Sequence, residues 1–282
     1  MEFTKWQGCG NDFLLIDCLA EQVVKPEEYA DLSRRLCDRH YGVGGDGLLI
    51  VEQPTTQEAD FRMRIFNTDG SEAEMCGNGI RCFARYLYDY GCTDKEEFTV
   101  ETGAGLLVPK IILQSGKVAS VRVDMGEPVL AGDRIPVQGF GMERVIEQPL
   151  EVEGKTYQMT CVSMGNPHCV IFVEDAESFP IEKLGSFFEH HEKFPQRTNT
   201  EFVSVRDREH VRMRVWERGA AITLACGTGS CATLVASVLT GRTERKAEVE
   251  LDGGILEVEW AESNHVFMTG PAELVFVGKL PD

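Results

Sequence analysis

The sequence predicts an α/β chain of two pseudo-symmetric halves, each strand-rich around one central helix and derived by internal duplication. Three observations predict it. Residues 62–83 (RMRIFNTDGSEAEMCGNGIRCF) and 212–232 (RMRVWERGAAITLACGTGSCA) align without a gap from Arg62/Arg212 through Cys76/Cys226 to Gly79/Gly229. A second echo lies upstream: GCGNDFLLID at 8–17 against SMGNPHCVIFV at 163–173, which sets Asn11 opposite Asn166. The predicted elements then recur in the same order in both halves.

In the first half, FLLID (13–17) is a short apolar run and reads as a strand. PEEYADLSRRLCDRH (26–40) reads as a helix with Pro26 near its start. GLLIVEQ (47–53) reads as a strand, and RMRIFN (62–67) alternates as a half-buried strand does. GIRCFARYLYDYG (79–91) is a helix closed by Gly91, and FTVETGAGLLVPKII (98–112) and VASVRVDMG (118–126) return to short strands. The second half repeats this with CVIFVED (169–175), a helix at 180–194, EFVSVRD (201–207) and RMRVWE (212–217). The helix GSCATLVASVLTG (229–241), closed by Gly241, and strands in 247–260 and 265–278 follow. The change of half falls near Val121–Met125, and the strands from about Val266 are expected to pair back onto the first half. The expected domains are therefore 1–121 plus 266–282, carrying Cys76, and 122–265, carrying Cys226.

With 282 residues, 43% hydrophobic and 26% charged, the chain has the balance of a globular protein. Its net charge of −18 repels phosphate backbones and anionic lipid, so neither nucleic acid nor membrane is an expected partner. The N-terminal MEFTKWQGCGNDF has no basic region followed by an apolar run, and ATLVASVL (232–239) is too short to span a bilayer. A cytoplasmic location is expected, where the ten cysteines would be buried, catalytic or metal-binding rather than disulfide-paired. There is no C-x-x-C pair, and the spacings Cys76–Cys82 and Cys226–Cys231 do not match a zinc site, so no metal is expected. Cys18, Cys37, Cys82, Cys92, Cys161 and Cys231 read as small core hydrophobes.

The two cysteine turns carry the chemistry. A Gly-x-Gly turn entering a helix leaves backbone N–H groups unpaired, and with the positive end of the helix dipole they make an anion site. A cysteine at such a start is expected to have a stabilised thiolate and a lowered pKa. One such turn suits a nucleophilic enzyme. Two suit a proton transfer across one carbon beside a carboxylate, in which one thiolate takes a proton from one face and a thiol supplies another to the opposite face. Helix starts that share the carboxylate stabilise the charge that grows on it.

At these residues the chain resembles the diaminopimelate epimerase family of cofactor-independent, two-cysteine amino-acid epimerases and racemases. The resemblance rests on GNDF (10–13), GVGGDGLL (42–49), FNTDGSEAEMCGNGIRC (66–82), GNPH (165–168), RTNTEFV (197–203) and WERGAAITLACGTGSCA (216–232). It implies two domains, each a β-barrel-like sheet wrapped around a helix, with the site in the cleft. It implies Cys76 and Cys226 as the two bases, poised by His168 and Glu217. It implies Asn11, Asn67, Asn166, Asn199, Glu217 and Arg218 as substrate-binding residues, with Gly77–Asn78 and Gly227–Thr228 binding the α-carboxylate through backbone N–H groups. No cofactor, a diaminopimelate substrate and a homodimer are further implications. Amides and one guanidinium fork suit an ammonium and a carboxylate held together, and amides do not titrate.

Two positions depart from family patterns. Gly47 stands where some members carry a substrate-contacting Gln, and Ala221–Ile222 replace the Gly-Glu of ERGxGET. A sister racemase acting on another amino acid, such as histidine, therefore remains an alternative, and a thiol redox or metal-binding protein is the non-enzymatic one. GVGGDG (42–47) formally matches a dinucleotide-binding loop, but it follows a predicted helix and precedes a strand, the reverse of the required order. For the residues taken singly, plainer readings stand: Asn67 and Asn166 as turn residues, His168 as a satisfied core histidine, and Glu217–Arg218 as a solvated pair.

Overall fold

The computed structural model describes residues 1–280. The chain forms two compact units, Met1–Asp124 with the chain from Thr269 onward, and Met125–Met268.

The first unit contains β1 (Glu2–Gly8), β2 (Asn11–Asp17), α1 (Tyr29–Cys37), β3 (Gly47–Glu52), β4 (Phe61–Asn67), β5 (Glu72–Ala73) and α2 (Gly77–Asp89). It continues with β6 (Val100–Thr102), β7 (Gly105–Leu107), β8 (Lys110–Gln114) and β9 (Lys117–Asp124). The second contains β10 (Gln148–Val152), β11 (Lys155–Ser163), β12 (Pro167–Phe172), α3 (Ile181–Glu189), β13 (Asn199–Val205), β14 (His210–Glu217), β15 (Ala221–Ile222) and α4 (Gly227–Leu239). It goes on with β16 (Lys246–Leu251) and β17 (Gly254–Trp260), then β18 (Val266–Gly270), where the chain returns to the first unit as β19 (Glu273–Lys279).

Strand order in the first unit is β19-β1-β2-β3-β4-β6-β7, with β5 on β4. In the second it is β10-β11-β12-β13-β14-β16-β17, with β15 on β14. Directions match strand for strand. The pairs β2–β3 and β12–β13 are parallel, β3–β4 and β13–β14 antiparallel, and β4–β6 and β14–β16 parallel. The duplication read from two short echoes thus extends to the order of seven strands in each unit.

Both central helices are 13 residues long and start on a cysteine, Cys76 at φ −143° and Cys226 at φ −130°. Both end at a positive-φ glycine, Gly91 and Gly241, where a side chain would be strained. α4 is buried along most of its length, as expected of a helix apolar on every side. α2 is buried too, but carries Arg81 at 0% exposure. Its guanidinium donates to the carbonyls of Gly77 and Pro271 and to Asn78 Oδ1. Such a charge is tolerated inside a protein only with its donors satisfied.

Two helices are shorter than the sequence predicts. The segment from Pro26 begins as a 3-10 turn (Pro26–Glu28), and α1 stops at Cys37 instead of running to His40. Asp38 turns extended, and its carboxylate accepts the amides of His40 and Tyr41 in a local turn. The amides of Val43, Gly44 and Gly45 then bond to the carbonyls of Leu36 and Cys37, so the glycine run closes α1 and leads into β3. α3 ends at Glu189 instead of 194. β1, β10 and β11 are elements that sequence analysis did not single out.

Candidate active site

Each central helix presents the same start. The first intrahelical donors are Ile80, to the Cys76 carbonyl at 2.9 Å, and Ser230, to the Cys226 carbonyl at 2.9 Å. The amides of Gly77 and Asn78, and of Gly227 and Thr228, precede them and have no intrahelical acceptor. These are the four amides that the resemblance assigns to the α-carboxylate, two in each unit.

In the first unit, Cys76 Sγ accepts the Gly79 amide at 3.5 Å and lies 3.9 Å from Asn11 Oδ1. Asn11 Oδ1 also accepts from Asn78 Nδ2 at 3.0 Å, while Asn11 Nδ2 donates to Asp46 at 2.7 Å. Asn11, Cys76 and Asn78 thus form one cluster. Asp46 is a member that sequence analysis missed. It and Asp12 are gripped by Arg39. Asn67 is not drawn into the cluster. It is exposed at the end of β4, where its amide side chain donates to Ser71 Oγ at 3.0 Å.

In the second unit, His168 is fully buried, with Nδ1 2.6 Å from Glu201 Oε1 and Nε2 2.9 Å from Asn166 Oδ1. Asn199 donates to the Pro167 carbonyl at 2.8 Å and accepts the Arg218 amide at 2.9 Å, pinning the loop after β14. Glu217 and Arg218 do not pair with each other. The Glu217 carboxylate accepts from Thr223, and the exposed Arg218 guanidinium donates to the Gln196 carbonyl. Glu189 on α3 fastens the same loop, accepting from the Trp216 indole at 2.7 Å and the Gly219 amide at 3.0 Å. Thr228 Oγ1 lies 3.6 Å from Cys226 Sγ.

One expectation is corrected. A lowered thiol pKa was expected at both helix starts, but burial pushes the Cys226 thiol well above its ordinary value. The negative charges of Glu217 and Glu201 push the same way, and the hydroxyl of Thr228 opposes them without prevailing. The helix start lowers a thiol pKa only where solvent or countercharge leaves it dominant, and Cys226 is 5% exposed. All ten cysteines are free thiols. Cys82, inside α2, behaves as a core residue, with burial pushing it up to about 12. Cys92 is half-buried rather than part of the core.

Glu201 is the functional candidate that sequence analysis missed. It is a carboxylate at 0% exposure inside an otherwise uncharged strand, NTEFVSV, and that mismatch was the available signal.

A model of the diaminopimelate epimerase family matches residues 3–131 and 160–275. The chain is 54% identical to a diaminopimelate epimerase of Moorella thermoacetica, covering 100% of this chain and 99% of the relative. It is 51% identical to that of Methanococcus maripaludis, covering 99% of each. Among solved structures, a phenazine biosynthesis protein of the PhzF family from Bacillus anthracis shares the fold, with TM-score 0.71, 17% identity and coverage of 100% and 99%. A hydroxyproline epimerase from Agrobacterium vitis does so with TM-score 0.69, 15% identity and coverage of 99% and 90%. The duplicated α/β fold, with a cysteine at the start of each central helix, is that of an isomerase of the epimerase and racemase class. Within that class, the chain belongs to the diaminopimelate epimerase family. Among the described residues, no helix is long and apolar enough to cross a membrane.

Proposed function

We propose that this protein interconverts LL- and meso-2,6-diaminopimelate in lysine and peptidoglycan precursor biosynthesis, by proton transfer between two cysteines without pyridoxal phosphate. The observation that carries the reading is the pair of helix-start cysteines in equivalent turns of two equivalent units. One thiolate removes the α-proton, and the other thiol protonates the opposite face. The sulfurs exchange states and no external acid or base is consumed. The amides of Gly77, Asn78, Gly227 and Thr228 hold the α-carboxylate, where charge grows as the proton leaves. Burial favours Cys226 as the thiol at the outset, which makes it the first proton donor.

The distal amino-acid end of the substrate is assigned to Asn11, Asn67, Asn166, Asn199 and Arg218, with Glu217 near the reacting end and His168 poising a thiol. Asn199 supports this by ordering the Arg218 loop. Asn67 would have to exchange its bond to Ser71 for one to substrate. Each unit is read as one epimerase-like domain supplying one base.

A homodimer and a cytoplasmic location complete the proposal. β19 ends its sheet and exposes Leu274, Val275, Phe276 and Val277, at 42%, 52%, 42% and 59%, a surface that a second copy of the chain would cover. Ten free thiols suit a reducing compartment.

The deciding experiment incubates LL-diaminopimelate with the protein in D₂O. Meso product with deuterium at one α-carbon is expected, and Cys76→Ala and Cys226→Ala should each stop epimerisation. Near-normal turnover in either variant would defeat the two-base mechanism. Exchange with histidine or another amino acid, but not with diaminopimelate, would move the substrate assignment to a sister racemase.

A further inference from the structure

The duplication permits a position-by-position comparison of what lies behind each cysteine. His168 pairs with Asn199 across β12 and β13 as Phe13 pairs with Gly47 across β2 and β3. Two residues on, Glu201 therefore stands where Leu49 stands in the first unit. The glycines of the cysteine turns probe the same spot. A methyl on Gly79 would lie 3.3 Å from Leu49 Cδ2, whereas one on Gly229 would lie 2.8 Å from Glu201 Oε1 and 3.2 Å from Cys226 Sγ. Behind the Cys76 turn the wall is Leu49 and Ile65, both apolar. Behind the Cys226 turn it is Glu201, which His168 contacts in turn, both ionisable and both 0% exposed.

We propose that Glu201 is a positioning residue that holds, together with His168, one shared proton beside Cys226, so that the unit carrying Cys226 has a buried proton store behind its cysteine turn where the other unit has Leu49. The inference rests on the epimerase reading for its catalytic meaning, but not for its test. Proton accounting supports it. Asn166 Oδ1 is an acceptor, so His168 Nε2 presents its hydrogen there. One further proton then lies between His168 Nδ1 and Glu201 Oε1, 2.6 Å apart, as imidazolium beside carboxylate or as imidazole accepting from carboxylic acid.

Glu201 Oε2 has no hydrogen-bond partner among the described residues, which disfavours a full carboxylate in so buried a place. Burial pushes the Glu201 carboxyl up, His168 pulls it back, and Glu217 adds to the rise, with a net upward result. The titratable groups facing Glu201 are His168 and Cys169 from β12, Glu217 from β14, and Cys226 at the start of α4. While the shared proton is present the pair is neutral. Once it is lost, a negative charge stands beside Cys226 and opposes thiolate formation.

The test reads thiol ionisation directly, by the pH dependence of iodoacetamide alkylation at the Cys76 and Cys226 peptides of the full chain. In Glu201→Gln no negative charge can form there. The Cys226 midpoint is expected to fall by about one pH unit or more, while that of Cys76 stays in place. An unmoved Cys226 midpoint, or equal shifts at both cysteines, would overturn the proposal. Glu201→Leu, which copies Leu49 of the first unit, should give the same selective fall if the amide variant folds poorly. The wild-type protein offers a measurement free of variants. A strongly hydrogen-bonded His168 Nδ1 proton is expected by NMR in histidine-labelled protein between about pH 5 and pH 8, and its absence would also overturn the proposal. Epimerisation without the Cys226 shift would defeat this inference alone. The shift without epimerisation of diaminopimelate would defeat the substrate reading alone.

Discussion

Ala221 sits in the left-handed region at φ +59°, paired with Glu217 across the hairpin that carries Arg218. An L-residue is disfavoured there by about 1–2 kcal/mol, and glycine is not. The Gly-Glu pattern common in the family places glycine at this position, so the departure noted in the sequence has a backbone consequence. Ala221→Gly is expected to stabilise the protein by up to about 1 kcal/mol, after allowing for the freedom that glycine returns to the unfolded chain. A urea midpoint equal to or below that of the parent would show that Ala221 is unstrained. At this scale, legibility followed sequence locality. Cys76 and Cys226 were legible because the turn that gives them meaning is contiguous with them. Glu201 was not, because its meaning comes from His168 across a parallel strand pair and from Cys226 after a further strand and hairpin. The environment of Cys226 was misjudged for the same reason: burial is a property of the packed unit, not of the turn.

Between elements, the contact that most directly supports the site is α3 on β14. Gly185 faces Trp216, and a methyl at Gly185 would land within the indole ring. The same indole donates to Glu189, which also holds the Gly219 amide beside Arg218. Gly185→Ala is expected to destabilise by about 1–3 kcal/mol through overpacking, in spite of alanine's better helix propensity. Calorimetry would read this as a lowered Tm, and an unchanged Tm would show that the helix can shift without loss. Glycine inside a predicted helix signals a close approach in general terms, yet nothing in the sequence names Trp216 as the neighbour. By contrast, the strand and helix that flank each cysteine turn were legible, because period-2 alternation in RMRIFN and RMRVWE and the glycine ends at Gly91 and Gly241 are local signals. Helix ends were less so. α1 stops early because Asp38 offers its carboxylate to the following amides, a choice that propensity does not reveal.

For the whole molecule, the proposed homodimer makes a direct prediction. Val275 and Val277 are exposed, so charging them leaves the core intact. Sedimentation velocity should find twice the chain mass for the parent and a single chain for the Val275→Lys/Val277→Lys variant. A parent that sediments as one chain at micromolar concentration would remove the dimer from the proposal. The chain path has a further consequence, concerned with synthesis. The second unit is continuous from Met125 to Met268, whereas the first needs Thr269 onward. β1 has its outer partner in β19, Arg81 reaches the Pro271 carbonyl and Arg85 the Ala272 carbonyl. On a ribosome, the half made first therefore waits with an open strand edge and two guanidiniums each short of one acceptor until the residues from Thr269 onward emerge. The half made second has its full complement of chain earlier. Closure of the Cys76 unit thus follows synthesis of the Cys226 unit, although its own chain begins first.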